Sequence, residues 1–111
     1  MTDRKLLEYA AKAAGIDLSA GFSLRLNAFY VEPKEETGAY AGWNPLTDDG
    51  DALRLAVKLK IELEFGSNFV NTGHCLNPGR WHLAQEKLSD PYAATRRAIV
   101  RAAAEIGKNK P

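Results

Sequence analysis

A single cysteine, Cys75, is all the thiol this chain carries. It excludes an internal disulfide and suits a reducing compartment. Soft metal ligands are equally scarce: His74, Cys75 and His82 make three, whereas structural zinc takes four, commonly in close pairs. No metal or cofactor is therefore expected. The glycines are scattered singly, so no phosphate-cradling loop is present. Cys75 with a histidine is the one arrangement that would support nucleophilic catalysis. It has neither a nucleophile elbow nor an oxyanion-hole glycine run beside it, so no catalytic residue is assigned and an enzyme is not expected.

An excess of positive or negative charge is also missing. Fifteen Lys and Arg face 14 Asp and Glu, for a net +1. Nucleic-acid binders draw affinity from neutralising phosphates and usually carry a basic excess. Only a local basic stripe stays open. No apolar run approaches the roughly 20 residues that a membrane-spanning helix needs. Glu8 and Lys12 interrupt any apolar core of a signal peptide. The chain is expected to be soluble, away from membranes, and to stay where it is made.

What is present is ordinary globular material, 45% apolar and 26% charged over 111 residues. That length fits one domain over residues 1–111 with a single core, and residues 108–111 are expected to fray. Residues 3–14 have helical spacing, with Leu6, Ala10, Ala13 and Ala14 on one face and Gly15 as the stop. Residues 23–32 alternate as a strand, with Leu24, Leu26, Ala28 and Tyr30 on one side. After a polar turn at 33–38, residues 39–42 pair back as a short second strand.

Asn44-Pro45 breaks regular structure, since a residue before proline is pushed out of the helical region. Thr47 or Asp48 then caps a helix whose start gathers Asp48, Asp49 and Asp51, where the helix dipole favours carboxylates. Ala52, Leu55, Ala56 and Leu59 form its stripe. Leu53 and Val57 widen that stripe, which predicts cover on more than one side. Residues 61–65 alternate as a half-buried strand, Gly66-Ser67-Asn68 turns, and 69–71 return. Asn77-Pro78-Gly79 turns again before a strand at 80–85 with Trp81 and Leu83 inward. Asp90-Pro91 opens the last helix, cap followed by proline in the first turn, and Gly107 ends it.

The candidate chemistry is that of recognition. The three aspartates could hold a divalent cation, but they lack the spacing of a calcium loop and are read as a dipole-matched helix start. Arg97, Arg101 and Lys108 form a stripe flanked by Arg96, fit for a phosphate or an acidic partner, or simply a solvated face. Trp43 either lines a pocket or packs in the core.

The Trp43-Asn44-Pro45 motif, the acidic helix start and the run Asp90-Pro91-Tyr92-Ala93-Ala94-Thr95-Arg96-Arg97-Ala98-Ile99-Val100-Arg101-Ala102-Ala103 resemble the phage ABA sandwich domain family. These are small phage and prophage proteins. The resemblance covers most of residues 1–107, strongest at 43–59 and 90–103. Residues 16–41 depart from it by an extra strand or hairpin. It implies an α+β helix–sheet–helix sandwich with a small, mainly antiparallel sheet, and an origin in a temperate phage. It transfers no activity and no catalytic residue.

The expected function is that of a phage accessory protein in the host bacterial cytoplasm. It would bind a host protein and inhibit a component of host defence. The alternative is a nucleotide or small-ligand binding module, using Trp43, Asn44, Arg96, Arg97 and Arg101. A homo-oligomer is also compatible, because a second copy can cover an exposed sheet edge.

Overall fold

The computed structural model describes residues 1–31, 41–66, 70–74, 81–84 and 90–111, with backbone alone at residue 74 and residues 81–84. Three helices and two small antiparallel sheets make an α+β fold. Helix α1 is Asp3–Ala14, α2 is Asp49–Leu59 and α3 is Pro91–Lys108. Strands β1 (Phe22–Ser23), β2 (Ala28–Val31) and β3 (Ala41–Trp43) form one sheet in that order. Strands β4 (Ile61–Phe65), β5 (Val70–His74) and β6 (Trp81–Ala84) form the other. The single sheet expected from the sequence is thus divided in two, with α2 between the halves in chain order.

Each helix begins where its cap does. Thr2 accepts from the Lys5 N–H at 3.2 Å, and Asp48 from Asp51 at 2.8 Å. Asp90 accepts from Tyr92 and Ala93, with Pro91 in the first turn. The close of α1 is a left-handed Gly15 at φ 71°, its N–H on Lys12 while Ile16 reaches back to Ala11. Helix α2 stops the same way on Lys60 at φ 54°, a conformation that costs any side chain about 1 kcal/mol or more.

Helix α3 is the central element. It packs on α1 and α2 along one side and on β4, β5 and β6 along another. Alanines 94, 98, 102, 103 and 104 are buried along it, with Ile99 and Val100. Helix α1 answers with buried Ala10, Ala11, Ala13 and Ala14. The two helices run side by side in the same direction. Asp3 meets Arg97 near their starts, and Lys110 donates to the Ala13 carbonyl at their ends. The main core joins this pair to Leu55 of α2 and to Phe29 and Trp43 of the first sheet. A smaller cluster of Val70 and Ala98, with Leu63 against it, seats the second sheet.

Several expectations are corrected. Over the described part of 23–32, residues 23–31 are a turn and hairpin, not one strand. Phe22 pairs with Phe29 and Ser23 with Ala28, and the Ser23 hydroxyl accepts from Leu26 N–H across the turn. Asn27 takes φ 49°, which asparagine tolerates. Leu24 and Leu26, expected to share a face with Ala28, are instead 87% and 49% exposed. Leu53 and Val57, expected to be covered, are 61% and 69% exposed.

Gly107 does not stop α3; it lies inside the helix. A Cβ there would overlap the backbone carbonyl of Tyr9, so glycine is what lets α1 approach. Residues 108–110, expected to fray, are tied down as well. Lys108 is helical, Asn109 N–H bonds to Glu105, and the Lys110 carbonyl accepts from Lys12 at 3.1 Å. The expected turns at 33–38, 67–68 and 77–79, and Cys75, lie outside the described residues.

Two stability changes follow. Gly107→Ala forces the helices apart and should cost about 1–3 kcal/mol, the range of core overpacking. Lys60→Gly removes a left-handed side chain and should raise stability by about 1 kcal/mol. Thermal and urea unfolding of the two variants check both signs.

Candidate functional site

The Trp43-Asn44-Pro45 turn is built around the Asn44 side chain. Its amide donates to the Asn27 carbonyl at 2.7 Å, and its oxygen accepts from Leu46 N–H at 3.0 Å. The Asn44 carbonyl accepts from Thr47 and Asp48 N–H, while its own N–H donates to the buried Asp51 carboxylate at 3.0 Å. One residue thus holds the β1–β2 turn, the end of β3 and the start of α2 together.

The acidic run serves the same bracing. Asp48 caps α2, and Asp51 takes both the Asn44 N–H and the Arg54 guanidinium at 2.7 Å. Asp49 pairs with Arg96 at 2.6 Å, and the Arg96 Nε donates to the Leu46 carbonyl at 2.9 Å. Among the described residues, no three His, Cys, Asp or Glu side chains come together as a metal would require.

These contacts place the sequence-derived candidates. Arg96 is partly buried and turned onto the Asn44 turn, and Arg97 pairs with Asp3. Arg101 is exposed farther along α3. Trp43 is 6% exposed and belongs to the core. It also lines a cleft of about 680 Å³ between the end of α1, the first sheet and α2. Neither Arg96, Arg97 nor Arg101 reaches that cleft, so their expected pairing with Trp43 is corrected.

Among the described residues, the cations beside Trp43 are Arg54 and Lys58, one turn apart on α2. Asp17 and Tyr30 stand on other walls, and Ile16, Val31 and Leu55 add apolar surface. The Ser19 N–H donates to Asp17 at 2.9 Å, and this bond holds the carboxyl below its ordinary range. Asp17 therefore stabilises the fold above the usual carboxylate range, and that contribution is lost as the pH falls.

Sequence reasoning did not link Arg54 and Lys58 to Trp43. Their four-residue spacing was the available signal. Asp17 gave none, because a helix-end aspartate is ordinary. Leu24 and Leu26 were missed for a different reason: alternation hid a turn.

Comparison with family models, with curated proteins and with solved structures gives no match to this chain. The resemblance to phage ABA sandwich proteins rests on its sequence motifs.

Asn44→Ala strands the Asn27 carbonyl and the Leu46 N–H together. It should destabilise the fold by about 0.5–1.5 kcal/mol for each of these two part-buried hydrogen bonds. Pairing it with Asp51→Ala in a double-mutant cycle should give a clearly non-additive sum, because both act on one turn.

Proposed function

We propose that this is a phage or prophage accessory protein that works in the host bacterial cytoplasm by binding a host protein, inhibiting a component of host defence, and not by catalysis. The observation that carries the binding reading is the β1–β2 turn. Burying a leucine side chain is worth about 1.5–3 kcal/mol, yet Leu24 and Leu26 stand in water on either side of Arg25. The turn beneath them is braced by the Ser23 hydroxyl and by the Asn44 amide on the Asn27 carbonyl. A stiff support under exposed apolar side chains lowers the ordering cost of association. The phage origin is supported by the motif resemblance at residues 43–59 and 90–103.

A second reading, a small-ligand or nucleotide-binding module, is favoured by the cleft beside Trp43. Its volume lies within the range of small-molecule pockets, about 300–1,000 Å³. Among the described residues, no helix is long and apolar enough to cross a membrane.

The host-protein reading is tested by tagged capture from host cells expressing wild type or the double variant Leu24→Asp, Leu26→Asp. One host protein should be enriched by wild type and lost from the variant, with equal melting temperatures for the two baits. Equal capture by both would remove the turn from the interface, and no enrichment at all would remove the reading.

A further inference from the structure

The cleft holds opposite charges on different walls. Lys58 is exposed on α2, and its ammonium makes no ion pair or hydrogen bond among the described residues. Arg54, one turn earlier, is fixed on one side by Asp51 at 2.7 Å, with Asp48 at 3.9 Å, and keeps most of its side chain in water. Asp17 sits just past the end of α1, beside the cleft-lining Gly15 and Ile16. That helix end adds partial negative charge of its own. Between these groups lie Trp43, Val31 and Leu55.

A simple anion would meet Lys58 and Arg54 but face the negative end of α1. A simple cation would meet Asp17 but face Lys58. A molecule with both kinds of group satisfies both walls, while its apolar part covers apolar surface. Among the described residues, charge along the walls is balanced, with Asp17 and Asp51 against Arg54 and Lys58.

We infer that the cleft binds a small amphoteric molecule with a flat apolar body. Its carboxylate or phosphate lies at Lys58 and Arg54, its ammonium or N–H edge at Asp17, and its body against Trp43. This rests on the small-ligand reading of the cleft. Two sources carry that chemistry, an aromatic amino acid and a nucleotide whose base presents N–H donors.

Calorimetric titration of the whole chain with phenylalanine and with guanosine monophosphate separates the two sources. Phenethylamine, phenylpropionate, guanosine and inorganic phosphate serve as half-ligands. One of the two full ligands should bind, and its own half-ligands should bind at least tenfold more weakly. Lys58→Ala and Asp17→Asn, both at exposed positions, should each weaken binding by about ten- to a hundredfold, the loss of one hydrogen bond to a charged group. Cooperative unfolding of both variants, with Lys58→Ala unchanged in melting temperature and Asp17→Asn lowered only by the lost carboxylate on Ser19, would show that both fold.

No binding of either full ligand at millimolar concentration would overturn the inference. So would a dissociation constant indifferent to Lys58→Ala or to Asp17→Asn. An uncharged aromatic compound that quenches tryptophan fluorescence with equal affinity in both variants would overturn the charge pairing and keep the cleft as a ligand site. Absence of any stabilising compound in a thermal-shift panel would remove the cleft reading as well.

Discussion

The hydrogen bond from the Asn44 backbone to the buried Asp51 carboxylate is the constraint on which the front of the molecule depends. It joins the last residue before a proline to the first turn of α2, so β3 and α2 meet at one fixed angle. The same carboxylate holds Arg54, and the same asparagine reaches the β1–β2 turn. Asp49 and the Leu46 carbonyl extend the bracing to Arg96 on α3. A buried carboxylate is tolerable only when its acceptor sites are filled, and here a backbone N–H and a guanidinium fill them. Sheet, turn and two helices are thereby held by a handful of polar atoms.

Behind this frame, cohesion comes from size matching. Helices α1 and α3 bury alanines against each other, and Gly107 removes the last obstacle at Tyr9. Small side chains remove little apolar area each, so the gain comes from close backbone approach and dense van der Waals contact. Parallel helices align their dipoles unfavourably. The Lys110 ammonium on the Ala13 carbonyl answers part of that at the shared carboxyl-terminal end, and Asp3 with Arg97 joins the other end.

The two proposed recognition features sit on opposite uses of one residue. Asn44 stiffens the turn that carries Leu24 and Leu26, and it positions the strand end that sets Trp43 at the cleft. Both surfaces therefore inherit their shape from the same turn. Arg96, which by residue type suggested phosphate recognition, is instead committed to this turn's support. Arginine offers several donors in one plane, and two of them here cap a carbonyl and pair a carboxylate.

Local chemistry was legible from the chain alone. A cap at Thr47 or Asp48, one at Asp90, the stop at Gly15 and the helix over 3–14 depend on interactions within a few residues. The structure places the first cap at Asp48 and the rest as read. The α+β class follows from the same periodicities. Three other matters were settled only by the tertiary structure. Alternation over residues 23–32 carries no mark of where a hairpin reverses, because the deciding bond to Asn27 comes from Asn44, 17 residues away. Gly107 looks like any helix stop until α1 lies against it. Which cations stand beside Trp43 depends on the crossing of α2 with the first sheet, and distances in space are not written in spacing along the chain.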